Sequence, residues 1–382
     1  MSAFDFIKQF SLETIRSYLH EKNCELVPSK HQDVYLVKFT PQTNVRDPLI
    51  NPIKGLIFNH ATGQIISMTY PVPIEFKDLS TEDQKQAIDS IDKSLYTVHE
   101  AMDGTLFRYA YFPEQKQWIL STNNKEDADN AFWMNGISLA KQFHSVKTVK
   151  IDYESFDKNH VHMFILCHPL NVIVVNHEES KIYHVATYDR TTMKEIDHDL
   201  GIPKPPLLGS TVRQIERKIQ EAQEKPVTSA GYIITIMNGE KGLRYRFENV
   251  NYTYAKQLRG NSNNLNFTML SLYALNGEAA INEFLQYYPI YKGEYTALMT
   301  RINKLTAKFY QEYGRRYKDH QTIKVHPRHH SFLEMIHQIL FKDTLKAIGK
   351  TVQYEDIRKF VMNQPPAKLL YLLNYEFDKV TK

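Results

Sequence analysis

Lys241, Arg244, Arg246, Lys256 and Arg259 fall within one short stretch that also holds Tyr245, Tyr252 and Tyr254. Cations interleaved with aromatic rings can grip phosphates and stack bases, the chemistry of an RNA-binding surface. The same pattern also suits a solvated strand face whose tyrosines are half buried. A second cluster, Arg315-Arg316-Tyr317-Lys318, is followed by His326-Pro327-Arg328-His329-His330. With no carboxylate or cysteine at a fitting offset, these histidines are expected in a surface loop and not in a metal centre. A third stretch, Glu100-Ala101-Met102-Asp103-Gly104-Thr105-Leu106, sets two carboxylates around an alanine. Asp-Gly is a common turn dipeptide, so the elementary expectation is a hairpin between a strand at Tyr96-Thr97-Val98 and one from Leu106 to Phe112.

That third stretch resembles the first motif of the covalent nucleotidyltransferases (RNA ligases, DNA ligases and capping enzymes), Glu-Lys-x-Asp-Gly-Ser/Thr-Leu. Further segments match in order. Lys54-Gly55-Leu56-Ile57-Phe58 and Tyr70-Pro71-Val72-Pro73 lie upstream. Met163 to Val174, Lys181 to Asp189-Arg190, Ala230-Gly231-Tyr232-Ile233-Ile234 and Arg244 to Tyr252 lie downstream. The resemblance covers about residues 40 to 260 and is nearest to the phage-type ATP-dependent RNA ligases. It implies an α+β nucleotidyltransferase domain of mixed and antiparallel sheets over 1–259, then an all-α domain over 260–382 that helps choose RNA. It also implies ATP and Mg²⁺ as cofactors if the family activity is retained.

The departures are systematic. The family's nucleophilic lysine is replaced by Ala101, whose methyl group has no lone pair, so no lysyl-nucleotide can form there. The resemblance places a glutamate where Ile165 stands and an arginine where Val172 stands. Tyr188 replaces an arginine, and Ala230 replaces a glutamate. A lysine expected after Tyr70-Pro71 falls near Ile74. The family's paired lysines fall on Arg246 and Glu248, or after a two-residue shift on Arg244 and Arg246. Lys54, Arg246, Glu100, Asp103 and Arg108 keep their charge. Gly104 is retained, and the residues implied for nucleotide contact are Lys54, Arg108, Ile165, Ala230, Arg244 and Arg246. Those implied for RNA are Lys241, Lys256 and Arg259. Loss at several sites fits a pseudoenzyme better than replacement of one nucleophile in a working ligase. The latter, with lysine native at position 101, is the alternative, and a protein-interaction module is a third. His99 could act as a substitute nucleophile, but strand alternation sets it opposite Glu100.

The elements that must position these residues are readable from periodicity. Phe4 to Leu19 suits an amphipathic helix. Ser80-Thr81-Glu82-Asp83 reads as a helix start, and Lys125 to Phe143 reads as a helix burying Phe132, Ile137 and Leu139. Gly201 to Gly209, with three prolines, is a loop, and Ser210 to Glu224 is a polar helix. Strand signals resume at Tyr232 to Met237, with Asn238-Gly239 as a turn. After Gly260 helical stripes dominate: Tyr295, Leu298, Ile302, Leu305 and Phe309, then Phe332, Ile336, Ile339 and Leu340, then Leu369, Leu370, Leu372 and Leu373.

Composition narrows the class further. A chain of 382 residues with 42% hydrophobic content suits two domains. Two cysteines, Cys24 and Cys167, exclude a disulfide framework, and no apolar run approaches a membrane span. No secretory pattern opens the sequence, so a cytoplasmic protein of a reducing compartment is expected. The net charge of +4 is too mild to predict nucleic-acid binding by itself. The expected function is an inert RNA-ligase-like protein that binds RNA (transfer RNA or another structured RNA) or a protein partner. Nucleotide binding is expected to be weak or altered, and the sequence does not give the oligomeric state.

Overall fold

The computed structural model describes residues 3–133, 136–147, 151, 153–209, 211–221, 224–236 and 243–374. The chain divides into two compact units, Met1–Gln257 and Leu258–Lys382. The first unit is α+β and the second is helical, which is the fold class expected.

The chain opens with two helices where one was expected, α1 (Ala3–Gln9) and α2 (Leu12–Glu21). Ser11 separates them because its hydroxyl accepts the Thr14 N–H and starts a new helix, leaving Phe10 exposed. Strands β1 (Cys24–Pro28), β2 (Val34–Phe39), β3 (Ile57–Asn59) and β4 (Gln64–Ser67) then form an antiparallel sheet in that order. The short β5 (Ile74–Glu75) leads to α3 (Thr81–Asp92), capped by Ser80 as the sequence indicates. Next come β6 (Tyr96–Glu100), β7 (Thr105–Phe112) and β8 (Gln117–Thr122).

Where a helix was expected over Lys125 to Phe143, the described residues form only a 3₁₀ turn at Ala128–Asn130 and α4 (Leu139–His144). Asp127 and Ser138 side chains accept backbone N–H groups there and offer the chain an alternative to continuous helix. Phe132 and Ile137 are exposed as a result, and only Leu139 of the three is buried.

The rest of the unit comprises β9 (His160–Cys167), β10 (Lys181–Asp189), β11 (Lys194–Ile196), α5 (Val212–Glu221), β12 (Gly231–Ile236), β13 (Leu243–Glu248) and most of α6 (Val250–Arg259), whose last two residues fall in the second unit. The expected turn at Asn238-Gly239 lies outside the described residues. A central antiparallel sheet runs β11-β10-β9-β7-β8, and a third sheet runs β5-β13-β12-β6. Both faces of the central sheet are buried. Val161 and Met163 of β9 face one core with Ile15, Leu19 and Phe58, while Phe164 and Leu166 face another with Phe107 and Phe143. That is why β9 reads as a nearly unbroken apolar run.

Position 104 corrects the hairpin expectation. β6 pairs with β12, whereas β7 pairs with β8 and β9, so residues 101–104 cross from one sheet to another. Gly104 is needed for close approach and not for a turn, since a Cβ there would lie 2.3 Å from the Leu166 carbonyl oxygen. Gly231 combines both demands: its φ is +115°, and an added Cβ would lie 2.0 Å from the Phe247 carbonyl oxygen.

The helical unit contains α7 (Leu265–Tyr287), α8 (Lys292–Tyr313), α9 (Pro327–Met335), α10 (Tyr354–Met362) and α11 (Pro366–Asn374). Leu298, Ile302, Leu305 and Phe309 form the buried stripe of α8, and all four leucines of α11 are buried. The stripe from Phe332 fails beyond Ile336, leaving Ile339 exposed. Ile336–Leu345 is wound as a π-helix, which takes more residues per turn and carries a 3.6-residue stripe out of phase. Of the histidines expected in a loop, His329 and His330 are helical instead. His326 caps α9 by accepting the Arg328 N–H, and His329 is buried.

Candidate functional site

A cavity of about 970 Å³ lies in the first unit, bordered by residues of the central and third sheets. β6 delivers Ala101 to its wall. The Ala101 N–H donates to the Gly231 carbonyl at 2.9 Å and the Glu100 N–H donates to that of Pro206 at 3.1 Å, so the strand end is pinned from two sides. Ala101 brings only a methyl group to the wall, which Ile165 of β9 also lines. Glu100 borders the cavity, and burial pushes its carboxyl above the usual range, against the pull of His177 and a Ser229 hydrogen bond. His99 borders it as well, although alternation alone would set it opposite Glu100, and its Nδ1 lies 3.0 Å from the Pro205 carbonyl.

Five cations line the cavity, Lys54, Lys204, Arg244, Arg246 and Lys256, and Lys204 pairs with Asp197 at 3.4 Å. Arg244 and Arg246 stand two residues apart on β13, so both point the same way, opposite Thr235 and Ile233 in the strand register. Of the two possible assignments of the paired basic positions, only Arg244 with Arg246 puts both in the cavity. Arg244 donates to both carboxylate oxygens of Glu195, at 2.9 and 2.7 Å, with its guanidinium 5.0 Å from the Tyr70 ring centre. Arg246 lies 3.6 Å from Glu75 and 3.2 Å from Glu248, and 5.7 Å from the Tyr252 ring centre. Lys54 and Lys256 differ from the arginines in having no carboxylate at ion-pair distance among the described residues. Burial, followed by repulsion from Lys256 and Arg246, lowers the Lys54 ammonium from its ordinary value.

Asp103 is absent from the cavity lining, because its carboxylate is consumed by the fold. Its Oδ2 accepts the N–H groups of Val174 and Val175, at 2.9 and 2.6 Å. Its Oδ1 accepts the Tyr252 hydroxyl at 2.7 Å, and its carbonyl accepts His177 Nε2 at 2.6 Å. The aspartate therefore ties the sheet crossing to the loop after β9 and to α6. Nothing in the local sequence marks these partners, which lie 71 to 149 positions away.

Other residues singled out in the sequence lie elsewhere. Arg108 is fully buried, donates to the carbonyls of Gly55 and Thr122, and is lowered to about 9 by desolvation. Ala230 and Val172 are buried outside the lining. Tyr188 donates to Glu195 at 3.1 Å. Arg259 belongs to the helical unit, where it is buried and donates to the Ser262 carbonyl at 2.8 Å. Tyr245 and Tyr252 are buried and only Tyr254 is exposed, so the interleaved aromatics do not form one stacking surface. Lys241 lies outside the described residues.

Of the carboxylates lining the cavity, Glu195 and Glu75 face arginines and Asp197 faces Lys204, which leaves Glu100, hydrogen-bonded to Ser229, as the lining carboxylate without a basic side chain at ion-pair distance among the described residues. Mg²⁺ would have to draw most of its hard oxygen ligands from water or phosphate there. Among the described residues no group of three His, Cys, Asp or Glu side chains is placed to hold a metal.

Two histidines near one end of the cavity make a pH prediction. His162 and His184 are buried on either side of the Thr187 hydroxyl, at 3.0 and 2.8 Å. Burial lowers His162 to about 3 and His184 to about 4. The unfolded chain binds protons at both near pH 6.5, so stability is full above that value and falls as the pH drops towards 4. Each contributes about 1.4 kcal/mol per pH unit across that window. Urea midpoints between pH 7 and 5 should fall less steeply in His184→Gln than in the unaltered chain, and parallel curves would contradict the assignment.

The chain is similar to the Immediate-early protein ICP-46 homolog of Invertebrate iridescent virus 3, at 22% identity over 300 residues. The match covers 76% of this chain and 66% of the viral protein, just under two thirds of its length. Two forms of an archaeal ATP-dependent RNA ligase are similar in structure, each with a TM-score of 0.45 and 12% identity. One covers 97% of this chain and 98% of its own, the other 80% and 82%. No family model matches the chain. Similarity at these levels says what the chain is like and carries no further weight. Among the described residues no helix is long and apolar enough to cross a membrane.

Proposed function

We propose that this chain is an RNA-ligase-like protein that forms no lysyl-nucleotide and binds RNA through the cationic wall of its cavity. The observation that carries this reading is Ala101 in the wall that also holds Lys54, Arg244, Arg246 and Lys256. Position 101 offers no nucleophile, so the covalent step is closed. Arg244 and Arg246 are already neutralised by Glu195, Glu75 and Glu248. Lys54 and Lys256 by themselves are then too little to offset the desolvation of a triphosphate against Ile165 and the Ala101 methyl. RNA makes a weaker demand, because a backbone phosphate can meet a lysine while staying largely hydrated.

Fluorescence anisotropy of a labelled RNA tests the reading. Binding should weaken steeply with added salt, and ATP with Mg²⁺ should leave the melting temperature unchanged. Salt-independent RNA binding, or none, would overturn it. A second reading, an ATP-dependent RNA ligase with lysine native at position 101, is favoured by one observation. The scaffold beside that position, from Glu100 through the fully bonded Asp103, is intact.

A further inference from the structure

A second cavity, of about 240 Å³, lies beside β8 and contributes nothing to the reading above. Trp118 and Tyr109 form its aromatic wall, and Glu126, Asp127 and Asp129 border it together with Lys30 and His31. The two rings are stacked at 5.1 Å with 5° between their planes, and Tyr111 and Phe156 stand edge-on to the indole at 5.6 and 5.9 Å. The indole is therefore held in one orientation. Asp127 is committed to the loop: its carboxylate accepts the Asp129 N–H and the Asn130 side-chain amide, both at 2.9 Å. Glu126 is less committed: His31 approaches it at 3.8 Å, outside hydrogen-bond distance.

We propose that this cavity receives an arginine side chain from a protein partner, its guanidinium lying against Trp118 and paired with Glu126. Three considerations select that ligand. The cavity volume is ample for a side chain. Three carboxylates against one lysine leave a negative balance, which attracts a cation and repels anything carrying phosphate. An aromatic face beside a carboxylate suits a planar guanidinium better than a strongly hydrated ammonium. The chain itself uses this combination, since Arg244 lies over the Tyr70 ring while donating to both oxygens of Glu195.

The test is calorimetric titration of the full chain with acetyl-Gly-Arg-Gly-amide, and with the same peptide carrying citrulline or lysine in place of arginine. Saturable binding of the arginine peptide is expected, at least tenfold tighter than either substitute and at least tenfold weakened by Glu126→Gln. Trp118→Leu should weaken it comparably, with circular dichroism confirming that both variants are folded. No saturable binding, or citrulline binding as well as arginine, would overturn the proposal. Equal binding of lysine would overturn the stacked guanidinium, and an unaffected Glu126→Gln would overturn the location. Because no nucleic acid enters the titration, its failure leaves the RNA reading standing, and the reverse also holds.

Discussion

Asp103→Ala is expected to lower the folding free energy by about 3–5 kcal/mol, the largest single-residue effect anticipated around the cavity. Asp103 is 4% exposed, and its carboxylate accepts three hydrogen bonds, from Val174, Val175 and Tyr252. Hydrogen bonds to a charged acceptor contribute about 1.5–3 kcal/mol each, and removing the acceptor strands buried donors. Asp103→Asn should lose roughly half as much, because one oxygen remains to accept. Tyr252→Phe should cost about 1–2 kcal/mol, since it takes from Oδ1 the hydroxyl it accepts while Oδ2 keeps both backbone N–H groups. Urea denaturation with an unchanged slope would measure this directly. A midpoint for Asp103→Ala equal to that of the unaltered chain would mean that the aspartate is not the tie described.

The double replacement Lys54→Ala with Lys256→Ala should weaken RNA binding by tenfold or more at low salt while leaving the fold intact. Both lysines border the cavity and neither has an ion-pair partner among the described residues. Each lysine–phosphate pairing removed should also reduce the steepness of the log–log salt dependence by about 0.7 for single-stranded RNA. The paired arginines provide the contrast. Removing Arg246 takes from Glu75 its ion-pair partner and leaves Glu248 with Lys77, so a loss of stability should accompany any loss of binding. If the double lysine variant binds RNA as well as the unaltered chain, with the same salt dependence, the cavity wall is not the RNA surface.

Local signals in the sequence located many elements. The Ser80 cap, the proline-rich loop before α5 and the stripe on α8 all depend on residues within a turn or two of one another. What stayed hidden depends on distant partners. Asp-Gly looks the same in a hairpin as in a crossing between sheets, and only the Leu166 carbonyl beside Gly104 tells them apart. Arg108 and Arg259 read as available cations, yet each is buried against backbone carbonyls supplied by tertiary structure or a following loop. The even spacing of Phe332, Ile336 and Ile339 assumed 3.6 residues per turn, and the π-helix breaks that assumption. At the candidate site, Ala101 and its basic neighbours could be picked out by type. That Glu195, Glu75 and Glu248 neutralise two of those neighbours could not, because nothing in the order of residues brings β5, β11 and β13 together.

Incubation with labelled ATP and Mg²⁺ or Mn²⁺, on the unaltered chain and on a folded Ala101→Lys variant, tests the inert reading most directly. No protein-bound label is expected on either, because the site lacks more than its nucleophile: Ile165 offers no carboxylate, and Asp103 is bound to the fold. Acid-labile label on the Ala101→Lys protein would contradict that and reveal a ligase site complete but for one amine.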